Sequence, residues 1–125
     1  MTMALSDVTE WTKNVFVRLG ATDANAGSVA RALIAAEADG LKGHGLSRVP
    51  TYGAMLKSGK INGEATPAAS RPKPAVLAID AAHGFAYPAI DLALREAPAL
   101  AREQGVLAVP IARSNHCGAA GLPCE

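Results

Sequence analysis

A shortage of large side chains constrains the fold of this chain more than any other feature of its sequence. Alanine accounts for 27 of the 125 residues, whereas phenylalanine, tyrosine and tryptophan together make up 4%. Half of the residues are hydrophobic, so the chain can collapse around a core, and its length suits one domain. Because each alanine buries little apolar surface, that core should be thin unless helices pack closely or another surface completes it.

Charge and cysteine content exclude several classes of function. The formal net charge is +1 at pH 7, which leaves no polybasic surface for nucleic acid. No apolar run reaches membrane-spanning length, and the first residues lack the pattern of a secretory signal. The two cysteines, Cys117 and Cys124, are too few and too close for a secreted disulfide scaffold. We therefore expect a cytoplasmic protein with reduced thiols and without nucleic-acid or membrane partners.

Hydrophobic periodicity predicts an N-terminal layer of helices over residues 1–58. The first helix should cover 6–19 with Ser6 as its N-cap. The second should run over about 22–39, and the third over about 49–58, each ending at a glycine. The apolar stripe of the first helix is predicted to comprise Val8, Trp11, Val15 and Leu19.

The second half of the chain has a different pattern. Residues 59–74 contain three prolines and two glycines and are predicted to form a linker loop without strand or helix. Short apolar runs predict strands over 75–79 and 106–111, flanking a helix over about 86–104 that Pro98 should kink or break. The sequence therefore predicts an α/β fold, with a helical N-terminal layer followed by a strand–helix–strand unit over 75–125 that ends as another helix begins.

The segment between the second and third predicted helices is rich in glycine. Gly43 and Gly45 flank His44, so a ligand could reach the imidazole. Arg48 follows four residues later and would share a side with His44 in a helical turn. A guanidinium can bind a carboxylate through two hydrogen bonds, and an imidazole can transfer a proton near neutral pH. The pair therefore predicts a binding site for a small carboxylic acid. The simpler interpretation is that His44 is a loop residue and Arg48 a solvated one, with no binding role.

A second polar segment follows the predicted strand over 106–111. Ser114, Asn115 and His116 lie between the end of a strand and the start of a helix, where ligands usually bind in α/β structures. His116 could act as an acid–base group, and Asn115 could orient a substrate oxygen. The alternative is an ordinary loop in which serine or asparagine caps the next helix.

Metal and nucleotide motifs have less support. His44, His116, Cys117 and Cys124 are zinc ligands in type, but no pair has the usual spacing of about two to four residues, so we predict no metal site. The sequence contains no G-x-G-x-x-G or P-loop pattern that would indicate a nucleotide site.

Taken in order, these segments resemble the N-terminal part of the type-2 malate/L-lactate dehydrogenase family. That family of NAD(P)-dependent oxidoreductases includes sulfolactate and ureidoglycolate dehydrogenases, diketogulonate reductase, and piperideine- and pyrroline-2-carboxylate reductases. The resemblance covers nearly the whole chain. The matching segments are Ala38-Asp39-Gly40, Gly43-His44-Gly45-Leu46-Ser47-Arg48-Val49-Pro50 with Tyr52, Ser58-Gly59-Lys60-Ile61-Asn62-Gly63, Ile79-Asp80 with Gly84-Phe85, and Ser114-Asn115-His116 with Gly118-Ala119-Ala120-Gly121.

The resemblance implies a role for each matched side chain. His44 corresponds to a pocket histidine that is a proposed proton donor, and Arg48 to the arginine that holds the substrate carboxylate. Tyr52 is expected near the substrate, with His116 as a second acid–base candidate and Asn115 as its neighbour at the substrate. The implied chemistry is reversible hydride transfer between NAD or NADP and C2 of a 2-oxo, 2-hydroxy or cyclic 2-imino acid. Two histidines leave the acid–base assignment open.

The sequence also departs from the family pattern. Gly43 stands where the family often has serine, and Cys117 stands where it usually has phenylalanine. Family members are well over twice as long, and their dinucleotide-binding segments lie mainly beyond Glu125, so no cofactor-binding residue is assigned. The resemblance thus implies part of a non-Rossmann fold, completed by a C-terminal segment, a second subunit of a homodimer, or both. The alternative is a truncated, inactive chain that serves as a helical assembly or partner-binding module.

Overall fold

A computed structural model of the chain describes residues 3–124. Its helices are α1 (Leu5–Arg18), α2 (Asp23–Ala38), α3 (Val49–Lys57), α4 (Ala86–Gln104) and α5 (Gly121–Cys124), and its strands are β1 (Ala68–Lys73), β2 (Val76–Asp80) and β3 (Ile111–Ala112). The mixture of a helical N-terminal half with a later strand–helix–strand unit confirms the predicted α/β class. Over this part of the chain, the helices are too short or too polar to cross a lipid bilayer.

Helices α1 and α2, which correspond to the first two predicted helices, pack against each other as a hairpin. Gly20 ends the first helix with a φ of +101°, a value that glycine adopts without steric cost. Thr22 caps α2, since its hydroxyl accepts a hydrogen bond of 3.2 Å from the amide of Asn25. The buried Asn25 side chain in turn donates to the carbonyls of Gly63 and Ala65 at 2.8 and 2.9 Å. The helical layer therefore fixes the start of the segment that leads to the sheet.

The prediction for α1 is wrong in two details. The helix begins at Leu5, and no side chain caps it, so Ser6 is not the N-cap. Trp11 is 56% exposed, whereas Thr12 and Phe16 are completely buried. Thr12 can lie in the core because its hydroxyl donates to the carbonyl of Val8 at 2.7 Å and leaves no unpaired donor. The buried face is consequently centred one position away from the predicted apolar stripe.

The prediction of a loop throughout 59–74 is also wrong, because 68–73 form β1. This strand pairs antiparallel with β2, with an irregularity between Ser70 and Lys73. All of its residues are exposed, so the alternating apolar pattern of a half-buried strand is missing from the sequence. Pro72 fits because β1 is an edge strand of the order β1–β2–β3. The sheet therefore has one more strand than predicted.

The second predicted strand is largely reduced to extended chain. Only Ile111 and Ala112 form β3, which pairs parallel with the end of β2, and an isolated bridge joins Ala108 to Val76. The amides of β2 and Ala81 donate to the carbonyls of residues 108, 110 and 112 at 2.9 Å each. Pro110 accepts in this series but has no N–H to return, and so the ladder is interrupted.

Two clusters of buried side chains form the core. One lies between the helices and contains most of the aromatic residues, and the other lies between β2 and α4. In the first cluster the ring of Phe85 lies 5.9 Å from those of both Phe16 and Tyr52. Four of the five aromatic side chains therefore pack in this one cluster. They are Phe16, Tyr52, Phe85 and Tyr87.

Helix α4 continues through Pro98 as far as Gln104 without a break. Proline removes one hydrogen bond to the carbonyl four residues earlier, which here belongs to Leu94. The Leu94 side chain is 48% exposed, so that carbonyl lies on the solvent side of the helix, where water can satisfy it. The second half of α4 is consequently helical despite the proline.

A strained turn follows β2 and joins it to the segment after β3. Ala82, His83 and Arg113 have φ values of +51°, +62° and +52°, which are uncommon for residues with side chains. The amide of His83 donates to the carbonyl of Arg113 at 2.8 Å, and Arg113 Nε donates to Asp80 Oδ1 at 2.8 Å. Asp80 Oδ1 also accepts from the amide of Ala82 at 2.9 Å. Asp80 therefore holds both sides of the turn.

The Asp80–Arg113 pair gives a testable pH dependence. The Arg113 hydrogen bonds, and then the Ala82 amide, lower the pKa of Asp80 to about 2. A lowered pKa stabilises the fold above the ordinary carboxyl value of 3.8, and that stabilisation is lost as the pH falls through about 2. We expect Arg113→Ala to raise the Asp80 pKa towards the ordinary value in a carboxyl ¹³C NMR titration, whereas Arg102→Ala, an exposed change on α4, should leave it unchanged. An unchanged Asp80 pKa in Arg113→Ala would contradict this account.

Candidate active site

The glycine-rich segment between α2 and α3 forms two short 3-10 turns, Lys42–His44 and Leu46–Arg48. Glu37 on α2 anchors them, since its Oε2 accepts from the amide of Leu46 at 2.9 Å. Gly45 is buried against the same residue, and a Cβ there would lie 2.9 Å from Glu37 Cβ. We call residues 42–48 the motif loop. Gly45 is needed because α2 approaches its backbone closely.

Arg48 lies at the end of the motif loop and folds back over it. Its Nε donates to the carbonyl of Gly43 at 2.6 Å, which fixes the guanidinium beside the residue that precedes His44. The hydrogen bonds formed by residues 3–124 leave both Nη groups of Arg48 without a partner. A guanidinium held by Nε and open at Nη can bind a carboxylate.

The loop after β3 reaches the helical layer from the opposite side. The amide of Asn115 donates to the carbonyl of Gly84 at 3.1 Å, and its side-chain nitrogen lies 3.7 Å from the sulfur of Met55 on α3. The amide of Gly118 donates to Nδ1 of His116 at 2.9 Å. We call residues 114–118 the second loop. Parallel pairing of β2 and β3 brings this loop beside the turn that begins α4.

Three of the predicted site residues converge around Gly118. Tyr52 Oη lies 3.5 Å from His116 Nε2, and their rings meet edge to face at 6.0 Å. A Cβ on Gly118 would lie 3.7 Å from His44 Nδ1 and 3.9 Å from Tyr52 Oη. Gly118 has a φ of +63°, so both its conformation and its surroundings favour glycine. The structure therefore brings His44, Tyr52 and His116 together.

The hydrogen bonds define the neutral form of His116. Because Nδ1 accepts the Gly118 amide proton, that nitrogen carries no hydrogen of its own. The ring hydrogen then lies on Nε2, where it can be donated to Tyr52 Oη. His44 differs, since its Nδ1 is buried and has no hydrogen-bond partner among the described residues. Such an atom needs a partner, which a substrate or a water molecule could supply.

Tyr87 is a site residue that the sequence reasoning missed. A Cβ on Gly118 would lie 2.8 Å from its hydroxyl. Burial strongly raises the pKa of Tyr87, and burial also raises that of Tyr52, which the neighbouring Tyr87 hydroxyl and the charge of Arg48 partly offset. Both phenols are therefore uncharged near neutral pH. The sequence does contain one signal for Tyr87. It is a tyrosine placed two residues after Phe85, in a first helical turn that otherwise holds small residues.

A groove of about 330 Å³ runs along the second loop. Its lining is mostly apolar, and Ser114, Asn115 and His116 contribute polar groups. Its lining residues are Ala86, Ile90, Ile111, Ser114, Asn115, His116, Cys117 and Gly118. Between residues 3 and 124, no three His, Cys, Asp or Glu side chains cluster in a way that could hold a metal ion.

The sequence profile of the malate/L-lactate dehydrogenase family matches residues 3–125. Two curated relatives are similar to this chain. One is (2R)-3-sulfolactate dehydrogenase (NADP(+)) of Chromohalobacter salexigens, to which this chain is 50% identical over 96 residues. That match covers 77% of this chain and 28% of the relative. The other is Delta(1)-pyrroline-2-carboxylate reductase of Ancylobacter novellus, to which this chain is 37% identical over 117 residues. That match covers 94% of this chain and 34% of the relative.

The fold is similar to that of a solved enzyme as well. Delta1-piperideine-2-carboxylate reductase from Pseudomonas syringae superposes with a TM-score of 0.95 at 30% sequence identity. The match covers all of this chain and 38% of that structure. The chain thus spans about a third of the length of the relatives it matches.

Gly45 gives a direct test of how the motif loop is held. We expect Gly45→Ala to lower the free energy of unfolding by about 1–3 kcal/mol, because its Cβ would overlap Glu37. Gly43→Ala is the matched control, since a Cβ there would meet nothing within 4 Å, and its effect should stay within about 0.5 kcal/mol. Urea denaturation measures both. Equal effects of the two substitutions would contradict the proposed packing of Gly45 on α2.

Proposed function

Because this chain belongs to the malate/L-lactate dehydrogenase family, we propose that it forms the substrate side of an NAD(P)-dependent oxidoreductase. The reaction is hydride transfer to or from C2 of a small 2-oxo, 2-hydroxy or cyclic 2-imino acid. One observation carries the proposal: the buried Nδ1 of His44, for which residues 3–124 offer no hydrogen-bond partner, lies beside Gly118 as Tyr52 does, and in the same loop as Arg48. A proton-transfer group and a carboxylate-binding group are thereby held at one place.

The chain's own residues divide the work as follows. Arg48 binds the substrate carboxylate through its Nη groups while its Nε keeps the side chain on the motif loop. His44 and His116 are the acid–base candidates, and the Tyr52 hydroxyl lies 3.5 Å from His116 Nε2. Asn115 is held by its backbone bond to Gly84 and orients the substrate within the second loop. Burial of the two phenols excludes water from this side of the site.

The groove along the second loop fits a nicotinamide in chemical character. Its apolar lining residues Ala86, Ile90 and Ile111 suit a flat ring, and its polar lining residues Ser114 and Asn115 suit a carboxamide. When bound, the nicotinamide supplies or accepts the hydride. We propose NAD or NADP as the cofactor, and the name of the Chromohalobacter relative specifies NADP(+). Parallel fluorescence titrations with NADH and NADPH distinguish the two.

The assembled enzyme is proposed to be a cytoplasmic homodimer in which further polypeptide covers the apolar surface of this chain. Several large apolar side chains support this part of the proposal, since they are exposed on its helices and loops. They are Met3, Leu5, Trp11, Val17, Leu41, Leu94 and Val106.

Carboxylate binding tests the proposed function. Pyrrole-2-carboxylate, a planar analogue of a cyclic imino acid, should bind the 125-residue chain, and Arg48→Ala should weaken that binding roughly 10- to 100-fold through loss of charged hydrogen bonds. Isothermal titration calorimetry measures the affinity.

Arg31→Ala is the matched control for this measurement. Arg31 pairs with Asp91 at 3.0 Å between α2 and α4, so its loss removes an equal charge outside the motif loop. Affinity in this variant should equal that of the unmodified chain. Equal losses in Arg48→Ala and Arg31→Ala would remove Arg48 from its role. 1-Methylpyrrole has the ring but lacks the carboxylate. If it bound with the same affinity as pyrrole-2-carboxylate, the proposal as a whole would be contradicted.

A further inference from the structure

The motif loop is closed on itself by short-range hydrogen bonds. Ser47 Oγ donates to the carbonyl of Lys42 at 2.6 Å, and the amide of Arg48 donates to the carbonyl of Gly45 at 3.0 Å. The bond of 2.6 Å from Arg48 Nε to the carbonyl of Gly43 crosses the loop a third time. Each of these bonds joins residues three to five positions apart. They therefore shape the loop but do not attach it to the rest of the fold.

Glu37 on α2 supplies that attachment. Its half-buried side chain accepts the hydrogen bond of 2.9 Å from the amide of Leu46, nine positions further along the chain. Among the side-chain hydrogen bonds formed between residues 3 and 124, this is the one that joins the motif loop to a helix. Gly45 packs on the same residue, since a Cβ there would lie 3.0 Å from Glu37 Cα. One side chain of α2 thus holds the middle of the loop.

We infer that Glu37 is a positioning residue for substrate binding, which acts through the Leu46 amide. The inference rests on the proposed function, in which the motif loop brings His44 and Arg48 to the substrate. A loop that leaves its binding arrangement for part of the time binds its ligand more weakly, in proportion to the fraction of time lost. Glu37 lowers that loss by giving the Leu46 N–H its acceptor.

The inference assigns the effect to the acceptor oxygen of Glu37 and not to its negative charge. Glu37→Gln and Glu37→Met form a matched pair that tests this distinction. Both remove the charge and keep an unbranched side chain of similar length against Gly45. Glutamine keeps a carbonyl oxygen that can accept from the Leu46 amide, whereas the methionine sulfur is a weak acceptor.

Amide hydrogen exchange, followed by NMR on the 125-residue chain, reports the attachment directly. The Leu46 amide should exchange roughly fivefold to tenfold faster in Glu37→Met than in Glu37→Gln, the effect of one hydrogen bond. Amides in the middle of α4 should exchange at the same rate in both variants, which shows that each variant is folded and that the change is local.

Calorimetric titration with pyrrole-2-carboxylate reports the effect on the site. Glu37→Gln should bind within roughly twofold of the unmodified chain, and Glu37→Met should bind roughly fivefold to tenfold more weakly than Glu37→Gln. Because the two side chains fill similar space, a role in packing alone would give them equal affinities, as would a role of the charge alone.

Two results would overturn the inference. One is equal exchange of the Leu46 amide in Glu37→Gln and Glu37→Met. The other is faster exchange in Glu37→Met without any difference in affinity between the two variants. If the unmodified chain did not bind pyrrole-2-carboxylate, the proposed function would fail, and the exchange comparison would still decide whether Glu37 holds the loop.

Discussion

The parallel pairing of β2 with β3 brings the second loop to the helical layer, and the candidate site depends on it. Three carbonyls of the chain after α4 accept amides from β2 and the residue that follows it, which brings the ends of the two strands side by side. The strained turn at Ala82 and His83 and the second loop then leave the sheet together, held by Asp80 and Arg113. Without this pairing, His116 would not reach Tyr52 on α3.

The scarcity of large side chains concentrates two tasks in the same residues. Tyr52 and Tyr87 bury their rings in the core that joins helices to sheet, and their hydroxyls face the histidines. An alanine-rich chain has few other side chains that could fill this junction. Core packing and site geometry are therefore coupled, because a shift of α4 against α3 would change both.

The sequence predicted the parts that depend on local pattern. The four long helices, α1 to α4, follow from apolar spacing and glycine stops, and the bounds of α4 agree with the prediction over 86–104. Strand β1 was missed because its residues are all exposed and carry no alternating pattern. The N-cap and buried face of α1 were misjudged because a threonine that bonds its own helix can replace an apolar residue in the core.

The candidate site likewise has parts that local sequence indicates and parts that only tertiary contacts determine. The sequence singles out His44, Arg48 and His116 as candidates because their residue types suit acid–base and carboxylate chemistry, and these roles stay predictions. The roles of Glu37, Gly118 and Tyr87 depend on approaches between distant segments, which no spacing along the chain encodes. The convergence of the motif loop with the second loop is likewise a tertiary property, set by the strand pairing.

Contacts from one bound ligand to both loops test the central claim most directly. In a nuclear Overhauser experiment with saturating pyrrole-2-carboxylate, the ligand protons should show cross-peaks to the ring protons of His44 and of His116 in the same sample. Cross-peaks to one histidine alone, or to neither, would contradict the account that the two loops form a single substrate site.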